Sequence, residues 1–251
     1  MIDPKNYKLI VEYDGTDFSG FQCQAGGIRT VQGDLEEALG KLGMNVWSFA
    51  AAGRTDTGVH ALGQVVSFIS HGSIPAHRMA IAINSMIQRD VSVARAEEIG
   101  SEFNARFSAK SRTYCYTIWT RRSRSAIWDR YAWHMRREID IDKMRQAARL
   151  LVGQHDFASF AKTGGSPGPS TVRDVLRISI RRWGDDRIVF MVTANGFLRS
   201  MVRNIVSVLV EVGIGDMNTD AILTILNARD RTKNPIAPAA PHGLCLLRVD
   251  Y

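Results

Sequence analysis

Residues 7–13, YKLIVEY, alternate with a period of two, so that one face carries Tyr7, Leu9, Val11 and Tyr13. This period predicts a β-strand that buries one of its faces. Thr30 can then cap a helix whose leucines recur at helical spacing, and Gly43 is placed to end it. The next segments complete the order β-α-β-β-α-β, with helices at 31–42 and 75–87 and strands at 46–52, 64–69 and 91–99.

The same order of elements begins again at residues 113–119, whose β-branched and aromatic side chains predict a strand. The later predicted elements are helices at 141–152, 197–212 and 219–227 and strands at 172–180, 188–193 and 244–249. Two successive units predict an α+β fold with two ferredoxin-like β-α-β-β-α-β halves, each an antiparallel sheet backed by helices. The boundary is expected near 108–112, so that an N-terminal domain, 1–108, packs against a C-terminal domain, 109–251.

The composition predicts a core-forming chain without disulfides. Of the 251 residues, 45% are hydrophobic, which suffices for a sizeable core. No apolar run approaches the roughly 20 residues that span a bilayer, and Asp3 stands where a signal peptide would carry basic residues. The expected location is therefore cytoplasmic. Because Cys23, Cys115 and Cys245 form no C-x-x-C or zinc pattern, we predict reduced thiols and no metal.

The positive charge of the chain is concentrated in one stretch. The formal net charge is +7. Residues 106–145 contain 11 Lys or Arg against 4 Asp or Glu, so this stretch carries the whole excess. Such a segment is typical of a nucleic-acid-binding surface. A solvated basic loop or a contact with anionic lipid gives the same pattern, and charge alone does not decide among them.

The segment 52–60, AGRTDTGVH, is the strongest candidate for chemistry. Its glycines allow a sharp turn between two strands and a close approach to a ligand. Arg54 stands two residues before Asp56, so an extended backbone points both side chains the same way, and the guanidinium favours an ionised carboxylate. An ionised, oriented Asp56 suits a nucleophile or a general base. By spacing alone, an ordinary Asx turn with a surface ion pair is the commoner case.

The same segment also spells Asp-Thr-Gly at 56–58, the motif of aspartic proteases. Those sites need two aspartates that share a proton. The chain has no second Asp-Thr-Gly, so only a symmetric dimer would supply the partner. Arg54 would oppose proton sharing because it favours the ionised form. The protease interpretation is therefore disfavoured.

Three further features are candidates for RNA binding, and each has a plainer alternative. Tyr114 and Tyr116 share one face of a predicted strand, where a ring either stacks on a base or packs in the core. Arg199 and Arg203 are four residues apart on a predicted helix, and they either bind phosphate or face solvent. The loop 155–170 is long for a plain connection and is a candidate RNA contact.

Six blocks of the sequence resemble successive motifs of the tRNA pseudouridine synthase A family. In chain order they read YDGTDFSGFQCQ, AAGRTDTGVHALGQVVSF, FNARFSAKSRTYCY, GQHDFASF, ANGFLRSMVRNIV and PHGLCLLRVDY. They span nearly the whole chain, and the GRTD-x-GVHA block is highly specific. Thr57 departs from the family pattern, which often has Ala there, but this small change leaves Asp56 in place.

The resemblance implies isomerisation of uridine to pseudouridine at positions 38, 39 and 40 in the anticodon stem-loop of tRNA. It implies a homodimer, a catalytic cleft between the two halves, and no cofactor, metal or membrane. It makes Asp56 the catalytic carboxylate with Arg54 paired to it, and Tyr114 and Arg203 the substrate-binding residues. The remaining residues that we expect to bind RNA are Arg121, Arg122, Arg124 and Arg199.

The chemistry of this reaction agrees with these residues. It breaks a C–N glycosidic bond and joins the same ribose to carbon, so it needs no redox partner or energy source. The carboxylate attacks the sugar, attacks the base or removes a sugar proton, and the sequence leaves these routes open. The target uridine has to leave the helix stack. Tyr114 offers an aromatic ring against which its base can stack, and Arg54 can fill the gap that the base leaves in the helix. The alternative is a non-catalytic RNA-binding protein, but the aromatic strand motif of such domains is missing from the sequence.

Overall fold

The computed structural model describes residues 3–72, 74–162 and 170–251. In chain order the strands are β1 (Lys5–Tyr13), β2 (Val46–Ala51), β3 (His60–Ser70), β4 (Val91–Ile99), β5 (Ser111–Trp119), β6 (Trp133–His134), β7 (Gly153–Asp156), β8 (Val172–Trp183), β9 (Arg187–Ala194) and β10 (Leu244–Asp250). The α-helices are α1 (Val31–Lys41), α2 (Ala76–Asn84), α3 (Ile141–Arg149), α4 (Met201–Ile214) and α5 (Ala221–Ala228). The fold is mixed α+β. Within the described ranges, no helix has the length and apolar character needed to cross a membrane.

The chain divides into two compact units. Unit 1 contains Met1–Lys110 and Leu246–Tyr251, and unit 2 contains Ser111–Cys245. Unit 1 is built on an antiparallel sheet in which β1 pairs with β3 on one side and β4 on the other, and β2 pairs with β3. The alternation predicted for residues 7–13 is confirmed, because all four residues of the apolar face are buried.

Residues 246–251, which include most of the last strand, belong to unit 1. β10 neighbours β3, and a Cβ atom on Gly63 would lie only 2.3 Å from the Leu247 carbonyl oxygen. The Tyr251 hydroxyl donates to the Ala105 carbonyl at 2.9 Å, and Tyr251 packs against a buried cluster that includes Val65. The division predicted at residue 108 therefore differs at the C terminus, where residues 246–251 join the sheet of unit 1.

The two helices of unit 1 follow the sequence signals closely. The Thr30 hydroxyl caps α1 by accepting a hydrogen bond from the Gly33 N–H at 3.2 Å, and Gly43 follows the helix with a left-handed φ of +73°. These residues are the predicted cap and terminator. α2 ends three residues earlier than predicted. Its last residue, Asn84, uses both ends of its amide to bind the backbone of Val93 at 2.7 and 2.9 Å, which ties the helix end to β4.

In unit 2 the antiparallel strands pair in the order β5-β9-β8-β7. The short β6 pairs in parallel with the end of β5, and β8 and β9 form a hairpin around residues 184–186. α3 packs against α4 and β8. Because nearly every side chain of α4 is buried, this helix supplies much of the apolar core of the unit.

α4 begins four residues later than predicted. Ser200, directly before it, has a left-handed φ of 59°, so the chain turns sharply there and cannot continue a helix from residue 197. Arg199 consequently lies outside the helix. The prediction that Arg199 and Arg203 stand one turn apart on a helix is wrong.

The predicted loop 155–170 contains regular structure in its first part. β7 pairs with β8, and a 3-10 helix follows at Ala158–Phe160. Phe157 and Phe160 are fully buried, and Asn204 donates to the Phe160 carbonyl at 2.6 Å. This part is packed core rather than open loop. Residues 163–169 of the predicted RNA contact lie outside the described residues.

Candidate active site

The candidate loop 52–60 begins where β2 separates from β3. The hydrogen bonds between the backbones of β2 and β3 end with one from the Ala52 N–H to the Val65 carbonyl at 2.8 Å. Beyond it, Gln64 Nε2 donates to the Gly53 carbonyl at 2.6 Å, and the Gly53 N–H donates to Gln64 Oε1 at 3.3 Å. Gln64 is completely buried. Its amide therefore replaces a peptide group of the sheet, and the chain turns away after Gly53 with its backbone polar groups satisfied.

Thr55 anchors the middle of the loop. Its hydroxyl lies 2.8 Å from the Tyr13 hydroxyl, to which Gln64 Nε2 also donates at 3.4 Å. The Thr55 carbonyl accepts a hydrogen bond from the Phe21 N–H at 3.1 Å. Because the Thr55 side chain is buried, the residues on either side of it in an extended backbone point the other way.

Those neighbours are the two predicted catalytic residues. Arg54 is exposed and Asp56 is half-buried, which agrees with the spacing argument. The Asp56 carbonyl accepts a hydrogen bond from the Val59 N–H at 3.1 Å, and Gly58 supplies the left-handed φ of +74° that the turn requires. The Asp56 side chain thus projects from a short turn that is held at both ends. An ion pair between Arg54 and Asp56 stays a prediction.

The glycine-rich block DGTDFSGF braces this loop from the side. A Cβ atom on Gly15 would stand 2.0 Å from the Val59 carbonyl oxygen. Gly20 has a φ of +93°, and a Cβ atom there would stand 3.0 Å from the Thr55 carbonyl oxygen. The backbones of the glycine-rich block and the Asp56 loop are therefore in direct contact. A side chain at Gly15 or Gly20 would prevent this contact.

The expected substrate-binding tyrosine, Tyr114, lies on β5 in unit 2 and is 7% exposed. Its ring meets Phe197 edge-on, with centroids 5.1 Å apart and planes at 87°, a favourable geometry for aromatic pairs. Phe197 belongs to the segment that precedes α4. The pair therefore fixes the orientation of the Tyr114 ring.

Tyr116, on the same face of β5, is a core residue. Its hydroxyl donates to the Ala240 carbonyl at 2.7 Å, and Gly243 lies so close that a Cβ atom there would meet the ring at 2.6 Å. Burial raises the pKa of Tyr116 well above its ordinary value, so the phenol stays protonated. Of the two tyrosines, Tyr114 alone remains a candidate for stacking on a base.

Arg203 lies in the first turn of α4 and is half-buried. Its Nε donates to the Ala239 carbonyl at 2.7 Å, and the Ala239 N–H donates to the Arg203 carbonyl at 3.2 Å. This reciprocal pair holds residue 239 beside the helix, so Arg203 has a structural role in unit 2. Arg199 is exposed. Substrate or RNA binding by either arginine stays a prediction.

The three arginines of the basic loop 120–132 that we expect to bind RNA, Arg121, Arg122 and Arg124, have different surroundings. The Arg121 guanidinium folds back onto its own loop, donating to the Arg124 carbonyl at 3.1 Å and lying over the Trp119 ring at 4.9 Å from its centroid. Arg122 and Arg124 are exposed. Arg121 therefore orders the loop that presents the other two.

Cys23 is exposed, and Cys115 and Cys245 are half-buried. Burial raises the pKa of the Cys115 thiol. In the part of the chain that the structure describes, no three His, Cys, Asp or Glu residues are grouped so that they could hold a metal ion. That the thiols are reduced stays a prediction.

Sequence reasoning missed the residues that support the loop: Gln64, Tyr13, Gly15 and Gly20. One signal was present. Gln64 opens an apolar strand segment, and a buried amide needs hydrogen-bond partners. The partner itself, Gly53, is set by where β2 leaves the sheet, which no local pattern indicates.

Comparisons with known proteins identify the family of the chain. A family model described as tRNA pseudouridine synthase matches residues 9–108 and 147–251. The tRNA pseudouridine synthase A of Thermoanaerobacter sp. (strain X514) is 40% identical over 247 residues, covering 98% of this chain and 100% of the relative. That of Moorella thermoacetica is 43% identical over 247 residues, covering 97% of this chain and 98% of the relative.

The family model covers residues of both units and includes the Asp56 loop and the Arg203 helix. The comparisons define the class of protein as an isomerase that converts uridine to pseudouridine in tRNA. The chain belongs to the tRNA pseudouridine synthase A family. The resemblance that the six motif blocks indicated is therefore confirmed.

We expect Gln64→Ala to lower kcat while tRNA affinity changes little. The substitution removes the hydrogen bonds to the half-buried Gly53 N–H and carbonyl and frees the Asp56 loop to move. The free energy of unfolding should fall by about 1–3 kcal/mol, the usual cost of such unsatisfied groups. Denaturant unfolding, tRNA binding and single-turnover rates measure the three quantities.

Gln32→Ala is the matched control, because the Gln32 amide is also hydrogen-bonded, to Glu36 and the Cys23 backbone, but away from the Asp56 loop. It should leave kcat unchanged. If Gln64→Ala lowers stability yet keeps the parent kcat, then Gln64 is a structural residue and does not position Asp56.

Proposed function

We propose that this enzyme converts uridine to pseudouridine at positions 38, 39 and 40 of the tRNA anticodon stem-loop, with Asp56 as its catalytic carboxylate and without a cofactor. The observation that carries the proposal is the support of the Asp56 turn by Gln64, Thr55 and the close approach of Gly15. A catalytic group needs such a fixed position. The anticodon site rests on the motif resemblance.

The proposed reaction needs no added atoms. The bond between N1 of uracil and the ribose breaks, C5 of the same ring bonds to the ribose, and the proton that leaves C5 is balanced by one gained at N1. Asp56 attacks the ribose, attacks the base or removes a ribose proton. Each route requires a carboxylate that is ionised and held beside the nucleotide.

Three other residues have proposed roles around Asp56. Arg54 pairs with the carboxylate and fills the gap that the flipped uridine leaves in the stem-loop. Tyr114 packs against the uracil, as an aromatic ring does in other flipped-base sites, and Arg203 binds the substrate from the first turn of α4. Phosphate contacts come from Arg122, Arg124 and Arg199, which are exposed.

A set of stem-loop transcripts tests the proposal. Each carries uridine at only one of positions 38, 39 and 40, and a T-arm stem-loop is the control. Chemical derivatisation reads pseudouridine, since the isomerisation does not change mass. We expect product from the three anticodon substrates and none from the T arm. Pseudouridine in the T-arm substrate alone would mean that the enzyme modifies a different site in tRNA, and it would contradict the proposal.

We expect Tyr114→Phe to retain tRNA binding, because the ring still packs against Phe197. Turnover should fall if the hydroxyl takes part in proton transfer, by about 10²-fold for general acid–base catalysis. Tyr114→Ala should lose both the platform and activity. Steady-state kinetics on the stem-loop, with binding measured in parallel, separates these effects. Full activity in Tyr114→Ala would remove Tyr114 from the site.

We further propose that the enzyme is a homodimer in which each tRNA contacts both subunits. A single basic stretch, residues 106–145, supplies the charge excess of one subunit, and two copies are better suited to an L-shaped RNA. Sedimentation should therefore give about twice the 27.9 kDa of one chain. A species of single-chain mass at micromolar concentration would contradict this.

The finer description of the fold and location is also proposed. We assign both halves of the chain to the ferredoxin-like fold. In unit 1 the support is the strand order β4-β1-β3-β2 with helices between β1 and β2 and between β3 and β4. Since tRNA is modified where it is made and used, we place the enzyme in the bacterial cytoplasm.

A further inference from the structure

Five side chains at one end of the unit 2 sheet form a continuous stack of indoles and guanidiniums. The Arg121 guanidinium covers the Trp119 ring at 4.9 Å from the centroid. Trp119 and Trp128 are stacked, with centroids 6.4 Å apart and planes 18° apart. The Arg187 guanidinium lies 4.4 Å from the Trp128 centroid and 5.6 Å from the Trp183 centroid. We call this set the Trp–Arg stack.

The stack is built into the sheet and its loop. Trp119, Arg187 and Trp183 stand opposite one another on β5, β9 and β8, and directly opposed residues share one face of an antiparallel sheet. The loop 120–132 adds the other two members. It is fixed by bonds from the Thr120 N–H to the Asp186 carbonyl at 2.8 Å and from Trp119 Nε1 to the Ser123 carbonyl at 3.1 Å.

Among the indoles of the stack, the exposed fraction is lowest at Trp119 and highest at Trp183. Trp119 is 6% exposed, whereas Trp183 is 64% exposed. An indole that is exposed to this extent can stack against a further planar ring. The ordered neighbours hold it in one orientation, so little side-chain freedom remains to be lost when a ring binds.

Basic residues surround the end of the stack at which Trp183 is exposed. Besides the members of the stack, the exposed basic residues on the loop and on the end of β8 are Arg122, Arg124, Arg130, Arg181 and Arg182. The acidic residues of the same loop and hairpin are Asp129, Asp185 and Asp186. With the two arginines of the stack, seven cationic side chains stand against these three anionic ones, which favours a polyanion as the partner.

We propose that the Trp–Arg stack is a second RNA contact, at which an unpaired tRNA nucleotide stacks its base on Trp183 while Arg122 and Arg124 bind the adjacent phosphates. The proposal rests on the proposed function, since it takes the substrate tRNA as its ligand. Nucleotide bases stack on aromatic side chains whatever their sequence, and basic residues beside the ring bind the phosphates of the nucleic-acid backbone. A second copy of this chain would instead bring the same net positive charge to the surface.

The test compares Trp183→Ala and Trp183→Phe with the parent in binding to a labelled full-length tRNA transcript over a series of salt concentrations. Loss of one stacked base should weaken binding by about tenfold for Trp183→Ala, and much less for Trp183→Phe. The slope of log affinity against log salt should stay the same, because stacking releases no counterions. Arg122→Glu should reduce that slope and serves as the phosphate-contact comparison.

Trp47→Ala is the matched control. Trp47 is 38% exposed in unit 1 and its ring contacts His71, so its loss should not change tRNA affinity. Single-turnover rates at saturating tRNA should equal those of the parent for every Trp183 variant, since Trp183 is not placed in the catalytic machinery.

Parent-like affinity of Trp183→Ala would overturn the proposal, and so would a changed salt slope, which would mean that phosphate contacts were disturbed instead. A fall in the sedimentation mass of Trp183→Ala, with unchanged affinity per subunit, would identify the stack as a contact between copies of the chain and also overturn it. If the parent makes no pseudouridine but the Trp183 effect persists, the proposed function fails while the stack remains an RNA contact.

Discussion

The Asp56→Asn protein is expected to fold and bind tRNA like the parent and to form no pseudouridine. The substitution preserves the size of the side chain and its capacity for hydrogen bonds, but it removes the negative charge. The bond from Gln64 to Gly53 and the bond between the Tyr13 and Thr55 hydroxyls do not involve the Asp56 carboxylate, so the loop should keep its shape. Loss of a catalytic carboxylate lowers rates by roughly 10⁴-fold or more.

A single-turnover assay on the anticodon stem-loop decides this, because it bypasses product release. Asp56→Ala runs beside it, since an asparagine that deamidates would restore the carboxylate. Asp17→Asn is the control, because Asp17 is an exposed carboxylate in the block that braces the loop. Arg54→Lys keeps a charge but loses the bidentate fork and should also be slow. Pseudouridine formed by Asp56→Asn at a rate near that of the parent would refute the assignment.

Local signals predicted much of the fold. β4 has the predicted bounds, Thr30 and Gly43 start and stop α1 as predicted, and the alternation of YKLIVEY is that of β1. These features depend on periodicity and capping, which act over a few residues. The Asp56 turn was predicted for the same reason, because two glycines and an i, i+2 pair of charged residues are local.

Long-range contacts account for the differences. β10 packs in unit 1 because it lies beside β3, about 180 residues earlier in the chain, and pairing over such a separation has no sequence period. β7 was missed because its four residues, GQHD, show no apolar alternation and are held only by β8. The Gln64 amide is another such case, since its role appears only once β2 has left the ladder. Supporting residues of a site are therefore harder to predict than the reactive residue that they hold.

Gly15→Ala is expected to destabilise unit 1 and to abolish activity together. The added Cβ atom would stand 2.0 Å from the carbonyl oxygen of Val59 and 2.6 Å from its carbonyl carbon. Both are backbone atoms, so no side chain can rotate to relieve the clash, and the Val59 N–H is the donor that closes the Asp56 turn. Overpacking of this kind costs about 3 kcal/mol, and the catalytic turn has to move to accommodate it.

Gly40→Ala provides the matched control, because Gly40 lies within α1, where an added Cβ atom meets nothing within 4 Å. Alanine in an open helical position is favourable by roughly 0.5–1 kcal/mol, so this variant should gain stability and keep full activity. Urea unfolding and the single-turnover assay report the two properties for each variant. If Gly15→Ala unfolds at the parent midpoint and modifies tRNA at the parent rate, the two backbone segments do not touch as described. If it loses stability but retains the rate, the contact supports the fold without positioning Asp56.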